Sequence, residues 1–286
     1  MMTFISCAKT MTGRSKIQTP VTSTPQFQTE AIQNALDMSQ FSAEELERLL
    51  RVNSKIAAEN YMRFQDFCSD SPSALAALLA YTGIVYKRIH PQDFTPEDFQ
   101  YAQDHLRITS FLYGLLRPLD QIKNYRMEGD IKLPERGGIS MFDYWKPILT
   151  DTFIKEIKAK GGILINLASG EMKDLFDWKR VEQEVQVITP EFQVWKKGKL
   201  TTVVVYAKMC RGELTRFIIK NRIENPGDLK GFKWEGFSFD AGYSTDTHYL
   251  FSPSFIKKIL NSQPTQTFYQ HSCYLVEFGK INLDNN

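Results

Sequence analysis

The densest run of potentially functional side chains lies between residues 208 and 222, where one acid, Glu213, stands among several basic residues. The basic residues are Lys208, Arg211, Arg216, Lys220 and Arg222. A helix turns about 100° per residue, so it would place Arg211, Thr215 and Arg222 within about 40° of one another. A basic edge of this kind can neutralise phosphates and bind a polyanion. A solvated helix face has the same spacing, so both interpretations stay open.

A second basic stretch runs from His105 to Lys132 and includes Arg107, Arg117 and Arg126. Within it, Gly114 predicts a turn between a preceding helix and a further apolar segment. Backbone amides at such a turn could contact a phosphate. The alternative is a structural turn, with Arg117 in an ion pair.

Motifs for metal, cofactor and nucleophile chemistry are absent from the sequence. The four cysteines and four histidines are scattered, without CxxC, HxxxH or HExxH spacing. Neither GxxxxGK nor GxGxxG after a strand occurs. Ser6 and Lys9 match the S-x-x-K spacing of serine acyl-enzymes, but the partner motifs of that class are missing. We therefore predict no metal site and no cofactor.

The composition indicates one globular domain over residues 1–286. The chain is 42% hydrophobic and its formal net charge is only +2, so any polyanion-binding surface must arise from local clustering. No apolar stretch approaches the roughly 20 residues of a membrane-spanning helix, and the first residues lack a signal-peptide pattern. We expect a cytoplasmic protein without membrane contact. Residues 12–28 are rich in Thr, Ser, Pro and Gln and are expected to form a mobile loop.

The first half of the chain is predicted to be mainly helical after an opening strand at residues 3–6. Ser42 and Glu45 form a capping-box signature, which predicts a long helix reaching about Phe67. Thr95 followed by Pro96 and two acids predicts another helix start.

The second half is predicted to mix a helix at residues 151–160 with several strands. The apolar run 163–168 is typical of a buried strand. Residues 185–188, 192–195 and 200–206 have β-forming composition, with a hairpin turn at 196–199. Without regular βαβ repetition, this order favours an α+β fold with a mixed, partly antiparallel sheet and surrounding helices.

Several segments, in this order, resemble the peroxide stress resistance protein YaaA family. They are residues 5–10, 106–120, 125–128 and 166–169, residues 206–208 with Arg211-Gly212, and residues 216–219 with Asn221-Arg222. The resemblance extends to about Phe251, and residues 252–286 are interpreted as a C-terminal extension. Cys7 stands where the family has proline. Phe111 replaces the first glycine of the family's Ser-Gly-Leu-Tyr-Gly segment.

The resemblance implies a cytosolic protein that protects cells from hydrogen peroxide and lowers iron-dependent oxidative damage. It also implies a positively charged cleft, binding of double-stranded DNA and a helix-hairpin-helix-like element, for which residues 112–114 are the best match. The predicted DNA contacts are Lys208, Arg211, Arg216 and Arg222 on one wall, and Arg107, Arg117 and Arg126 on the other. This interpretation favours a role other than catalysis.

The matched motifs also support a second hypothesis, an enzyme acting on a small anionic or nucleotide-like substrate. Its pocket would be formed by Lys9, Glu128, Asn166, Ser169, Glu171, Lys208 and Arg211. A lysine, carboxylates and an amide that converge would provide an acid/base pair and anion clamps. The sequence does not show that these residues converge, and it leaves the oligomeric state open.

Overall fold

The computed structural model describes residues 1–69 and 74–253. The α-helices are α1 (Gln28–Ser39), α2 (Ala43–Leu50), α3 (Ser54–Gln65), α4 (Ala77–Ala80), α5 (Ile84–Ile89), α6 (Pro96–His105), α7 (Met141–Ala159), α8 (Trp178–Glu184) and α9 (Val204–Lys220). The strands are β1 (Met2–Ile5), β2 (Leu75–Ala76), β3 (Leu106–Ser110), β4 (Gly114–Leu116), β5 (Gln121–Ile122), β6 (Ile163–Asn166), β7 (Gln186–Phe192), β8 (Val194–Lys196), β9 (Lys199–Thr201), β10 (Lys233–Trp234), β11 (Phe237–Phe239) and β12 (His248–Pro253).

The main sheet has eight strands in the order β10-β11-β12-β7-β6-β1-β3-β4. The central strands from β12 to β3 are parallel, whereas β4 at one edge and β11 with β10 at the other are antiparallel. The prediction of a mixed, partly antiparallel sheet with surrounding helices is confirmed. All four residues of β1 are buried, as expected of a central parallel strand covered on both faces.

Two helix starts predicted from capping motifs are confirmed. Ser42 with Glu45 and Thr95 with Asp98 each form a reciprocal capping box. The predicted length of the first helix is wrong, because α2 ends at Leu50. Arg51 adopts a left-handed conformation (φ 54°) and Asn53 then caps α3 by accepting a hydrogen bond from the Ile56 N–H. The missed signal is Asn53, a residue type that favours helix starts.

The predicted hairpin turn is confirmed, since β8 and β9 pair on either side of Lys197 and Gly198. The strand predicted over residues 200–206 is wrong beyond Thr201, because α9 begins at Val204. Packing overrides the β-branched composition there: Ala207, Leu214 and Ile218 lie on the buried side of α9.

The turn between Ser110 and Gly114 differs from its prediction. It joins β3 to β4, not a helix to a further segment, so residues 112–114 do not form a helix-hairpin-helix element. Its residues are buried, and the Trp145 Nε1–H donates to the Phe111 carbonyl (2.8 Å). Gly114 has φ 73°, and a Cβ there would lie 2.8 Å from the Trp145 ring. The turn therefore packs into the core and does not present its amides to a phosphate in solution.

Residues 12–27 contain neither helix nor strand, apart from a bridge between Ser23 and Asp120. The mobility of this loop stays a prediction. In the described part of the chain, no helix combines the length and apolarity needed to span a bilayer. Of the predicted C-terminal extension, residues 254–286 lie outside the described residues, and Ser252 and Pro253 end β12.

Candidate functional site

A cavity opens at the carboxyl ends of the central strands. From β1 the chain continues to β3 on one side, and β6 later pairs on the other side. Such a reversal of strand order leaves a crevice between the strand ends, where open α/β sheets bind their ligands. Ser6 follows β1 and Ser169 lies three residues after β6, and both line this cavity of about 360 Å³. We call it the main cavity.

The wall of the main cavity combines an apolar part with charged groups. The larger apolar side chains include Ile84, Tyr86, Phe111, Tyr125, Leu167 and Met172. The charged residues are Lys9, Arg126, Glu128, Glu171, Lys208 and Arg211. Four are basic and two acidic, so the lining carries a formal charge of +2. This surface suits a ligand with an apolar section and at least one negative group.

Arg211 is a cation of the cavity whose charge no neighbouring acid compensates among the described residues. It is half-buried, and its side chain makes no hydrogen bond or ion pair to any residue of the ranges 1–69 and 74–253. Burial lowers the pKa of its guanidinium, and the negative charge of Glu191 acts in the opposite direction. A buried cation without a partner is costly, and an anion bound beside it would remove that cost.

Glu128 partly neutralises two further cations of the main cavity, Lys9 and Arg126. The Lys9 ammonium lies 2.9 Å from Glu128 Oε2, and Arg126 Nη2 lies 3.4 Å from Glu128 Oε1. Within the described chain, Arg126 Nε and Glu128 Oε1 are buried without a hydrogen-bond partner. Buried polar atoms without partners are uncommon in proteins, so the polar groups of this part of the wall are incompletely satisfied.

A second cavity of about 520 Å³ adjoins the main cavity. The two share Lys9, Arg126, Glu128 and Glu171, so the Lys9–Glu128 pair stands at their junction. Arg51, Asp130 and Asp174 add further charged groups to the second cavity.

Ser6 and Ser169 form a hydrogen-bonded chain that ends on Glu171. The Ser169 N–H donates to Ser6 Oγ (2.8 Å), and the two hydroxyl oxygens are 3.0 Å apart. The Ser169 hydroxyl then donates to Glu171 Oε1 (3.3 Å). The backbone around Ser6 is held on both sides. Its carbonyl accepts from the Tyr86 hydroxyl (2.8 Å), and the next N–H donates to Thr109 Oγ1 (3.2 Å).

Cys7 also lines the main cavity, but its environment suppresses the thiolate. Burial raises the pKa of the Cys7 thiol to about 12. Lys9, whose proximity in sequence could favour a thiolate, is paired with Glu128. The neighbouring Tyr125 and Tyr86 also have pKa values raised well above 10, mainly by burial.

The structure brings together most of the residues predicted for an enzyme pocket. Lys9, Glu128, Ser169, Glu171, Lys208 and Arg211 all line the main cavity. Asn166 is the exception. It is buried at the end of β6, and its side-chain oxygen accepts a hydrogen bond from the Ala168 N–H (3.2 Å). Asn166 therefore shapes the turn that carries Ser169.

The structure brings three of the seven predicted DNA contacts to one cavity. Lys208, Arg211 and Arg126 line the main cavity. Arg107 is buried, and its Nε donates to Glu156 (2.6 Å). Arg117 pairs with the buried Asp120 (2.8 Å).

Arg216 and Arg222 are likewise held by carboxylates. Arg216 makes hydrogen bonds to both carboxylate oxygens of Asp93, with Nη1 to Oδ1 at 2.7 Å. Arg222 follows the end of α9 in a left-handed conformation and lies 2.7 Å from Asp98 Oδ1. A phosphate would have to compete with these acids for either arginine.

Sequence reasoning considered Ser6 only in an S-x-x-K match, which it set aside, and left Ser6 out of the predicted pocket. It also missed Tyr86 and Tyr125 as parts of the site. Ser6 had a usable signal, since it directly follows a buried apolar strand and polar residues at such ends meet at one sheet edge. Tyr86 and Tyr125 had none, because they come from a short helix and a loop far apart in sequence.

Comparison with known proteins identifies the family of the chain. A family model described as peroxide stress protein YaaA matches residues 1–242. The chain belongs to the peroxide stress protein YaaA family. A UPF0246 protein of Phocaeicola vulgatus is 99% identical over 252 residues, which cover 88% of this chain and 99% of that protein. A UPF0246 protein of Bacteroides fragilis is 66% identical over 252 residues, covering 88% and 98%. One from Porphyromonas gingivalis is 45% identical over 253 residues, covering 88% and 99%.

Membership of the YaaA family supports a stress-related role for the chain. In the described ranges, no three His, Cys, Asp or Glu residues are grouped in a way that could hold a metal ion.

Proposed function

We propose that this YaaA-family protein contributes to peroxide-stress protection by binding a small anionic, nucleotide-like molecule in the main cavity. Arg211 carries the proposal. Its guanidinium is half-buried and unpaired among the described residues, beside the exposed Lys208. Burial of an unpaired cation is unfavourable in the free protein, so the free energy recovered on anion binding is large.

The rest of the cavity supports a ligand with an organic part. Tyr86, Phe111 and Tyr125 supply aromatic surface, whereas Glu128 and Glu171 can accept hydrogen bonds from hydroxyl or amino groups. A volume of about 360 Å³ lies within the range of small-molecule sites. Convergence of Lys9, the carboxylates and Ser169 on one cavity also favours catalysis on the bound molecule.

Isothermal titration calorimetry with AMP, inorganic phosphate and citrate tests the proposal. We expect at least one of these anions to bind the wild type and to lose tenfold or more of its affinity in Arg211→Ala, about 1.4 kcal/mol. Arg216→Ala is the matched control on the same helix, because Arg216 is already paired with Asp93. Absence of binding by all three anions to folded protein, or equal losses in both variants, would contradict the proposal.

The second candidate is binding of double-stranded DNA through a basic cleft. The observation that favours it is the grouping of Arg126, Lys208 and Arg211 around one opening. Contacts between such basic side chains and the phosphates of DNA are electrostatic and depend only weakly on base sequence. Any lowering of iron levels would then be indirect, through DNA or another partner, and would take place in the cytoplasm.

Fluorescence anisotropy with a short duplex across a salt series separates the two candidates. DNA binding predicts saturable binding with a negative salt slope, reduced by about one unit in Arg211→Ala. Arg216→Ala and Arg222→Ala are expected to leave the slope unchanged, because in the wild type these arginines are already paired with Asp93 and Asp98. If AMP binds and the duplex does not bind at low salt, DNA binding is excluded and the small-molecule function is retained.

A further inference from the structure

We propose that Ser6 is a nucleophile for acyl or phosphoryl transfer, with Ser169 and Glu171 forming the relay that accepts its proton. The substrate class is an ester or anhydride that carries a negative group. This inference rests on the proposed function in one respect, the anion held at Arg211. The chain of hydrogen bonds itself is independent of that anion.

The direction of the hydrogen-bond chain follows from the chemistry of its end. An ionised carboxylate can only accept, so the Ser169 hydroxyl proton is directed to Glu171 Oε1. Ser169 Oγ then has no proton for Ser6. The 3.0 Å contact between the two hydroxyls therefore requires Ser6 to donate to Ser169.

Ser6 Oγ keeps one acceptor position after these contacts. A hydroxyl has one proton and two lone pairs. The proton goes to Ser169 Oγ, and one lone pair accepts from the Ser169 N–H at 2.8 Å. The remaining lone pair has no partner among the described residues, and Ser6 is one of the residues that line the main cavity. A nucleophile that hydrogen-bonds to its base, with the base oriented by a third group, is the arrangement of hydrolytic triads.

The position of Ser6 is fixed by the fold. It leaves the carboxyl end of β1 at the reversal of strand order, with its carbonyl bonded to Tyr86 and the next N–H bonded to Thr109. Glu171 is exposed, so a proton delivered to it can pass to solvent. The hydrogen bond from the Ser169 N–H to Ser6 Oγ would be sufficient to link the ends of β1 and β6. The additional contacts hold Ser6 in one orientation, as a reactive group requires.

The proposed step transfers an acyl or phosphoryl group from the substrate to Ser6. Ser6 Oγ forms a bond to the carbonyl carbon or phosphorus, and the bond from that atom to the leaving oxygen breaks. The Ser6 proton moves to Ser169 Oγ, whose own proton moves to Glu171. Glu171 returns a proton to the leaving oxygen by the same route or through water. Water then hydrolyses the ester on Ser6 and restores the hydroxyl.

Labelling by an alkyl fluorophosphonate tests the proposal without knowledge of the substrate. The Ser6 oxygen would displace fluoride from phosphorus, and the proton would go through Ser169 to Glu171. Intact-mass and peptide mass spectrometry of the full chain should locate one adduct on Ser6. We expect Ser6→Ala to abolish it, and Ser169→Ala and Glu171→Gln to slow labelling at least tenfold.

Three controls distinguish a relay from a structural role. Ser169→Thr keeps a hydroxyl and should keep labelling. Glu182→Gln makes the same chemical change at an exposed carboxylate outside both cavities and should label like the wild type. The wild type should label more slowly in D₂O, and Ser169→Ala should lose this isotope effect, which a change in folding alone would not alter.

The proposal fails if folded wild type is not labelled, if the adduct is on another residue, or if Ser169→Ala and Glu171→Gln label at the wild-type rate. Its failure is separable from failure of the proposed function. AMP binding without Ser6 labelling removes the nucleophile and keeps the anion site. If Ser6 is labelled in a protein that binds none of the three anions, the nucleophile is retained and the anion site is excluded.

Discussion

The Lys9 ammonium lies 2.9 Å from Glu128 Oε2, at the junction between the main and the second cavity. The lysine side chain is 67% exposed, whereas the glutamate side chain is 14% exposed. The pair therefore places one of the two acids of the main cavity beside one of its four cations. Glu128 limits how much positive charge Lys9 and Arg126 present to a ligand.

Glu128→Gln should strengthen anion binding. The substitution keeps the size of the side chain and raises the formal charge of the main-cavity lining from +2 to +3. We expect AMP or phosphate to bind about 5-fold to 10-fold more tightly at low ionic strength, and the gain to shrink as salt screens it. Calorimetric titrations at two salt concentrations measure this effect. Glu182→Gln is the control, and weaker binding by Glu128→Gln would show that Glu128 itself contacts the ligand.

Arg211 and Arg216 lie on one helix, yet their replacement by methionine should change stability in opposite directions. Arg211→Met removes a half-buried cation that has no partner among the described residues, so we expect the free energy of unfolding to rise by about 1 kcal/mol. Arg216→Met breaks the pair with Asp93 and should lower it by about 1 kcal/mol.

Urea titration of both variants, without added anions, provides the measurement. A destabilised Arg211→Met protein would mean that Arg211 contributes packing or a contact that outweighs its desolvation. Arg211→Met should also bind anions more weakly than the wild type. The same residue would then lower stability and support anion binding.

Local signals in the sequence predicted some elements well and others poorly. Ser42 and Thr95 marked helix starts because a capping box depends on neighbouring residues alone. The apolar run 163–168 was equally clear, and β6 covers its first four residues. Residues 204–206 were misassigned because their helical state depends on packing of α9 against distant elements, which overrides β-branched composition.

The candidate site was predictable in its residue types and not in its pairings. Lys9, Glu128, Ser169 and Arg211 were identified as chemically capable groups, and the fold brings them to one cavity. Whether an arginine is unpaired or paired depends on acids far away in sequence, as with Arg216 and Asp93. A count of basic residues therefore overestimates the positive charge that a ligand would encounter.

Cys7 should be much less reactive than its place in a cavity suggests. With a pKa of about 12, the thiolate fraction of Cys7 at pH 8 is on the order of 10⁻⁴. In native protein we expect iodoacetamide to alkylate the exposed Cys68 about 100-fold faster than Cys7, or more. Peptide mass spectrometry over time resolves the two sites. Rapid alkylation of Cys7 at pH 8 would indicate a cavity that is more hydrated or more basic around the thiol.

Asp98 joins the start of α6 to the end of α9 and should make stability depend on pH. Burial alone would raise the pKa of its carboxyl. Hydrogen bonds from Lys220 (2.8 Å), the Thr95 N–H (2.9 Å) and Arg222 (2.7 Å) instead lower it to about 2. In the unfolded chain an aspartate has a pKa near 3.9. The unfolded state thus takes up the proton first as the pH falls, so the contribution of Asp98 is complete above about pH 4 and is lost towards pH 2.

Asp98→Asn tests this relationship. At pH 7 we expect the free energy of unfolding to fall by about 3 kcal/mol, because Lys220 and Arg222 lose their carboxylate and the helix start loses an acidic cap. The difference between wild type and variant should shrink as the pH drops from 4 to 2, measured by urea unfolding at each pH. Asp246→Asn, at an exposed position, should differ little from wild type throughout. A difference between Asp98→Asn and wild type that stayed constant down to pH 2 would show that shape, not the charge of Asp98, stabilises this junction.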